Sequence, residues 1–210
     1  MKTISEPGLF YLGIQAILGL SVLCLSIFIL MDFLFFAQRQ NVVREKRSIV
    51  DTGTMALFLL LFYLILLRGW GVIAIPITWL KNCLMILGAL MVVCGCILNI
   101  YGRWSLGKNW ANQIKIYGDH TLVRTGMYQV IRHPLYATII LMFLGAGLVY
   151  RNSAALLAVI VIFVPFMYYR ARQEETLLEQ RFPQYEEYRR ETGMFFPKII
   201  KTRRGNQWLN

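Results

Sequence analysis

Long, mainly apolar runs dominate the sequence. Three of them are Leu9–Phe36, Thr54–Ile75 and Leu80–Tyr101. A bilayer core about 30 Å thick is spanned by roughly 20 apolar residues in a helix, so each of the three is long enough to cross. Two shorter runs, Leu135–Tyr150 and Ala154–Tyr169, reach only about 24 Å each as helices. They predict a short helical hairpin whose second arm is bent by Pro165.

Composition supports a membrane protein. Hydrophobic residues make up 57% of the 210 residues and charged residues 16%, which is too apolar for an ordinary soluble domain. The first run is too long for a signal peptide and lacks a small-residue cleavage site, so we expect it to be retained. The expected fold is all-α: a polytopic membrane protein with about five transmembrane helices, the last two forming the short hairpin, and a cytosolic C-terminal helical tail.

Basic residues collect in three segments, and this predicts the orientation. They are frequent in residues 37–53 and 102–133, and nine more follow from Arg170 onward. Short cytoplasmic loops are enriched in Lys and Arg, so we expect an external N-terminus and a cytosolic C-terminus. The membrane would be the endoplasmic reticulum in a eukaryote and the cytoplasmic membrane in a prokaryote. The net charge of +11 lies beside apolar segments, which favours membrane lipids over nucleic acid as partners.

Polar residues concentrate after Tyr101, and this divides the chain. We expect residues 1–101 to form an N-terminal transmembrane scaffold of three helices, residues 102–197 a catalytic half, and residues 198–210 a basic tail. The four cysteines, at positions 24, 83, 94 and 96, lie in apolar runs without nearby metal-ligand spacing, so they predict packing and no metal site. No glycine-rich nucleotide motif follows a strand pattern, which argues against a Rossmann site.

Two motifs in the catalytic half contain more polar residues than anchoring a helix at the membrane interface requires. Pro134 is suited to the first turn of a helix, which places His133 near the N-cap and Tyr136 one turn in. Arg170 and Glu174 are four residues apart on the other arm and share a helix face. A tight hairpin would bring both groups together, and ionisable residues clustered at membrane depth are functional candidates. A third feature, the polar loop at 113–128, is suited to wrapping a ligand.

The order of these motifs resembles a known family. The segments are "HTLV" at 120–123, Tyr128, "RHPLY" at 132–136, the apolar hairpin, "RARQEE" at 170–175, and "FPQYEEY" at 182–188 ahead of "FFP" at 195–197. Together they are similar to the isoprenylcysteine carboxyl methyltransferases, within a wider set that includes the phospholipid methyltransferases. The resemblance covers roughly residues 113–197, and the first three helices carry no matching signature.

The resemblance implies a function. It implies transfer of a methyl group from S-adenosylmethionine to the C-terminal carboxylate of an isoprenylated cysteine that enters from the bilayer. Arg170 and Glu174 would be catalytic, with Arg170 facing the substrate. The implied cofactor contacts are Gln113, His120, Thr121, Leu122, Val123, Tyr128, His133, Pro134, Leu135, Tyr136 and Glu174.

Three alternatives stay open from the sequence. A methyltransferase of the same fold could act on a phospholipid amine or another small membrane-soluble molecule, with Glu174, Glu175 or His133 accepting the proton. An NADPH-dependent, sterol-reductase-like enzyme should carry extra basic residues for the 2′-phosphate. A scaffold or small transporter would use the same polar residues as interfacial anchors, although no paired broken helices are visible.

Overall fold

Helices make up most of the chain. The structure, a computed structural model, describes residues 8–36, 42–46, 49–107, 114–117 and 121–198. The helices are α1 (Leu9–Phe36), α2 (Ile49–Arg68), α3 (Thr78–Leu106), α4 (Pro134–Val149), α5 (Ser153–Ala158), α6 (Val164–Arg181) and α7 (Tyr185–Glu191). A π-helical stretch, Val159–Phe163, joins α5 to α6, and a 3-10 turn covers Gly126–Gln129. Two short strands are β1 (Val42–Lys46) and β2 (Ile114–Tyr117).

Among the described residues, three helices are long and apolar enough to cross a membrane. They are Leu9–Met31, Thr78–Leu106 and Ser153–Arg181, and the shorter apolar helices are Gly53–Arg68 and Pro134–Val149. The helical, membrane-embedded architecture expected from the apolar runs is therefore confirmed. By length and composition, however, three helices rather than five qualify as spans.

The second apolar run ends as a helix earlier than its hydropathy suggests. We expected it to extend over Thr54–Ile75, but α2 stops at Arg68. Gly69 and Gly71 follow with φ of 66° and 76°, a conformation that glycine adopts without the strain of a side chain. The third run differs in the other direction, because α3 continues past Tyr101 to Leu106. The expected scaffold boundary at residue 101 thus falls inside a helix.

The second arm of the hairpin is longer than expected. It forms one continuous helical segment, Ser153–Arg181, of 29 residues, and so is not limited to the apolar run Ala154–Tyr169. Pro165 lies in the first turn of α6, directly after the π stretch. A widened turn tolerates the missing proline N–H, and so the helix continues.

The π stretch also explains the row of buried residues on this arm. Every fourth residue is buried: Ala155, Val159, Phe163, Met167, Ala171 and Glu175. In an ideal α-helix each step of four residues advances by about 40° around the axis, so the row would wind about 200° around the helix. The wider π turns offset part of this drift. The buried face therefore winds less between the start of α5 and Glu175 than it would in an ideal α-helix.

Three glycines set the contact between α3 and α4. They are Gly88, Gly95 and Gly102, spaced seven residues apart on α3. A Cβ on Gly88 would lie 2.5 Å from the Gly145 carbonyl oxygen, and one on Gly95 would lie 2.5 Å from Met142. Small residues allow the backbones of membrane helices to approach closely. The pair is antiparallel, so the C-terminal end of α3 meets the first turn of α4.

Two apolar clusters form the interior. One joins α1, α3 and α4 around Val92 and Val149. The other joins α2, α4 and the second arm around Phe58 and Phe163, whose ring centroids are 4.4 Å apart. Since α4 takes part in both clusters, the helix that begins with the "HP" motif is fixed from two sides.

The strands add one feature to the all-α expectation. β1 pairs with β2 in an antiparallel ribbon, with Val42 opposite Tyr117 and Lys46 opposite Ile114. β1 lies between α1 and α2, and β2 lies between α3 and α4. Residues 42–46 and 114–117 of the two basic connections therefore lie side by side, while the side of the membrane that they face stays a prediction.

Candidate functional site

His133 lies between two carboxylates. It is the N-cap residue of α4, and Pro134 occupies the first turn, as expected from the sequence. Its Nδ1 is 3.6 Å from Oε2 of Glu174, and its Nε2 is 3.3 Å from Oε1 of Glu175. Burial by itself lowers the pKa of His133, but the two carboxylates outweigh burial and hold the pKa above its ordinary value. Protonation of this imidazole is therefore easier than in a free histidine.

Arg132 and Glu175 form a buried ion pair beside His133. The Nε of Arg132 donates to Oε1 of Glu175 over 2.8 Å, and the two side chains are 8% and 1% exposed. The Nη1 of Arg132 also donates to the carbonyl oxygens of Arg189 and Thr192. A buried charge is tolerated only when paired and hydrogen-bonded. This pair anchors α6 to the start of α4.

Glu174 faces the more open side of the cluster. Its Oε2 accepts a hydrogen bond from the Tyr136 hydroxyl over 3.1 Å, and its side chain is 37% exposed. The Arg170 guanidinium lies 6.0 Å from the centroid of the Tyr136 ring. Among the described residues, Nε of Arg170 and Oε1 of Gln173 are buried without a hydrogen-bond partner. An unpaired buried donor and acceptor on one turn of α6 are suited to a polar ligand.

The segment after α6 holds the loop before α4. The Tyr188 hydroxyl donates to the carbonyl oxygen of Tyr128 over 2.6 Å. The backbone N–H groups of Arg132 and His133 donate to the carbonyl oxygens of Gly193 and Met194. Burial raises the pKa of Tyr188 to about 12, so its hydroxyl stays a donor at neutral pH. The C-terminal segment thus fixes the backbone that carries His133.

The structure brings together four of the residues expected at the site: His133, Tyr136, Arg170 and Glu174. Tyr128 is buried, whereas Thr121 is exposed and Leu122 and Val123 are partly buried. Pro134 and Leu135 pack toward Gly102 of α3. Gln113 and His120 lie outside the described residues.

Sequence reasoning passed over part of the network. Glu175 was considered only as one of three candidate proton acceptors and Arg132 received no role, although both directly flank expected site residues in the chain. Asn99 was assigned to the scaffold, and Arg103 fell within the expected catalytic half without a role. Asn99 donates to Thr138 of α4 over 2.8 Å. Among the described residues, no group of His, Cys, Asp and Glu has a metal-binding arrangement.

Comparison with known proteins agrees with this arrangement. The model of the phospholipid methyltransferase family matches residues 83–185, which include the His133, Glu174 and Glu175 cluster. The chain is 34% identical over 133 residues to the cobalt-zinc-cadmium resistance protein CzcN of Cupriavidus metallidurans, covering 62% of this chain and 57% of that protein. It is 31% identical over 117 residues to the protein-S-isoprenylcysteine O-methyltransferase of Saccharomyces cerevisiae, covering 54% and 49%. The chain spans about half the length of such relatives.

A solved structure has the same fold. The eukaryotic intramembrane Ras methyltransferase ICMT superposes with a TM-score of 0.53 at 22% identity, over 73% of this chain and 54% of that chain. The helical fold, with a polar cluster at one end, defines the class as an integral membrane protein. Over residues 83–185 the chain is similar to the phospholipid methyltransferases, and over a comparable length it is similar to an isoprenylcysteine O-methyltransferase.

Proposed function

We propose that this protein transfers the methyl group of S-adenosylmethionine to the C-terminal carboxylate of an isoprenylated cysteine at the membrane surface. The observation that carries the proposal is the grouping of Arg170, Tyr136, Glu174 and His133 where α4 begins and α6 leaves the apolar core. The relatives named as isoprenylcysteine methyltransferases support it.

The residues present fit such a cofactor. S-adenosylmethionine, when bound, supplies an electrophilic methyl group on a sulfonium, together with an amino group, a carboxylate and ribose hydroxyls. Glu174 would accept hydrogen bonds from the amino or hydroxyl groups and offset the positive charge. The electron-rich ring of Tyr136 attracts a cation. Among the described residues the buried Nε of Arg170 is a donor without a partner, and we assign it to the acceptor carboxylate and not to the cofactor. Gln113, the run 120–123 and Tyr128 are proposed as the remaining cofactor contacts.

The acceptor carboxylate needs no general base. A chain-terminal carboxyl group has an unperturbed pKa near 3.5 and is ionised at neutral pH. The chain then has to hold the carboxylate, exclude water and align it with the methyl group. Alignment of this kind can supply about 7–11 kcal/mol of the barrier. Arg170 is suited to the first task because a guanidinium binds a carboxylate through a planar fork.

Calorimetry and methyl transfer on the purified protein test the proposal. The wild type should bind S-adenosylmethionine, and Glu174→Ala should weaken that binding at least tenfold. Arg170→Ala should keep cofactor binding within a few-fold but lose most transfer to a farnesylcysteine acceptor. The matched control is Arg181→Ala, an exposed arginine on the same helix. Full transfer by Arg170→Ala would remove Arg170 from the site.

A second acceptor class is favoured by a specific observation. The matching family model is that of the phospholipid methyltransferases, and an amine acceptor must lose a proton before it attacks. His133 between Glu174 and Glu175 provides a route for that proton. Parallel assays with phosphatidylethanolamine and farnesylcysteine distinguish the two acceptors, since only the amine reaction should slow below the pKa of the proton acceptor.

A further inference from the structure

Asn99 is a polar residue buried in the last third of an apolar helix, α3. Its side chain is 0% exposed, although α3 is one of the helices long enough to cross the membrane. Polar groups at membrane depth are costly unless paired, and they commonly mark function. The hydrogen-bond partners of Asn99 therefore indicate its role.

The amide of Asn99 connects α3 to the start of α4. Its Nδ2 donates to Oγ1 of Thr138 over 2.8 Å and to the carbonyl oxygen of Leu135 over 3.2 Å. The Thr138 hydroxyl in turn donates to the carbonyl oxygens of Pro134 and Leu135. These bonds fix the first turn of α4, which carries His133 and Tyr136.

The other end of the amide holds Arg103. The Oδ1 of Asn99 accepts a hydrogen bond from Nε of Arg103 over 2.9 Å, one turn further along α3. One edge of the planar guanidinium is thereby fixed, which sets the direction of the terminal nitrogens.

This turn of α3 lies against the loop that carries Tyr128. A Cβ on Gly126 would be 2.6 Å from Oγ of Ser105, and a Cβ on Gly102 would be 3.6 Å from Met127. The pKa of Tyr128 is raised mainly by burial and also by Glu174, while the charge of Arg103 opposes the rise. Arg103 on α3 and Glu174 on α6 therefore both act electrostatically on the Tyr128 hydroxyl.

We propose that Arg103 attracts the anionic group of the methyl acceptor. Asn99 is a positioning residue that orients both Arg103 and the first turn of α4. The inference rests on the proposed methyl transfer. A cation is repelled by the sulfonium of S-adenosylmethionine, and the cofactor's own carboxylate is the competing anion, so the test measures cofactor affinity and acceptor KM separately. The anionic group of the acceptor is either the carboxylate of a prenylated cysteine or the phosphate of a lipid head group.

The test compares conservative and disruptive variants of the full chain in mixed micelles. The variants are Arg103→Met, Arg103→Lys, Asn99→Leu, Asn99→Asp and the control Asn82→Leu, the same change on the same helix about 25 Å away. For each we would measure the thermal midpoint, cofactor Kd by calorimetry, and KM and kcat with N-acetyl-S-farnesylcysteine and with phosphatidyl-N-methylethanolamine.

We expect Arg103→Met to raise KM about tenfold for whichever acceptor the enzyme methylates, because one charge-assisted interaction is lost. Its cofactor Kd should change less than twofold, and Arg103→Lys should recover part of the KM. Asn99→Leu should lower kcat as well as raise KM, while Asn82→Leu should change neither. The acceptor affected identifies the source of the anion.

Two results would overturn the inference. One is an unchanged acceptor KM in Arg103→Met. The other is a rise in cofactor Kd equal to the rise in acceptor KM, which indicates a merely structural role. If Asn99→Leu does not fold, the variants Arg103→Met and Arg103→Lys still test the inference. A wild type that neither binds the cofactor nor methylates either acceptor overturns the proposed function itself, and the inference with it.

Discussion

The contact between α3 and α4 gives a quantitative prediction for Gly88→Ala. The added methyl group would lie 2.5 Å from the Gly145 carbonyl oxygen and 2.8 Å from the Val149 backbone nitrogen, well short of the 3.4 Å at which ordinary contact begins. Both obstacles are backbone atoms, so a side-chain rotation cannot relieve the clash. The two helices must separate, and overpacking of this kind typically costs about 1–3 kcal/mol.

Gly19→Ala on α1 is the matched control. A Cβ at Gly19 meets nothing within 4 Å, and replacing a helical glycine with alanine stabilises by roughly 0.5–1 kcal/mol. The two variants should therefore differ by about 2 kcal/mol or more in the free energy of unfolding, although the chemical change is identical. SDS-induced unfolding in mixed micelles, followed by circular dichroism, measures this difference. Equal stability of the two variants would refute the close approach of α3 and α4.

Three further predictions concern the polar cluster and the apolar core. Glu175→Ala should destabilise by about 3–5 kcal/mol, because it leaves a buried guanidinium unpaired, whereas Arg172→Ala, at 44% exposure, should cost less than about 1 kcal/mol. The contribution of protonated His133 to the free energy of unfolding should be fully present below its unfolded pKa of about 6.5 and be lost as the pH rises through the higher folded pKa. This pH dependence should vanish in His133→Gln. Phe163→Ala should cost about 3–5 kcal/mol because two other rings lie 4.4 and 4.8 Å away, while Phe196→Ala, at 81% exposure, should cost almost nothing.

Each of these is checked by the same unfolding assay, and each has a result that contradicts it. A small loss in Glu175→Ala would mean that the ion pair is open to solvent. A stability that rises with pH near neutrality would reverse the charge assigned to the imidazole. Equal losses for the two phenylalanine variants would contradict the aromatic cluster.

Local sequence patterns predicted those parts of the fold that depend on neighbours in the chain. Apolar length predicted α1 and the core of α3, and the ring of Pro134 predicted the start of α4 because its geometry suits a first helical turn. Hydropathy alone could not predict the end of α2. Arg68 is followed by apolar residues, and the stop comes from two glycines that adopt positive φ.

The site was partly predictable for the same reason. Arg170 and Glu174 share a helix face by spacing, and the hairpin brings that face to His133. The sequence could not show that His133 contacts both Glu174 and Glu175. That contact depends on where α6 turns relative to α4, and the π stretch in the second arm affects this rotation.

By itself, the sequence determined the membrane-embedded helical class, the polar half of the chain and the motifs that resemble the membrane methyltransferases. These follow from composition and spacing, which act locally along the chain. Only the tertiary structure decided which polar groups meet: the buried Arg132–Glu175 pair, and the reach of Asn99 across to the first turn of α4. Those contacts depend on helix crossings, and the crossings are set by glycines whose role becomes visible only when a second helix lies against them.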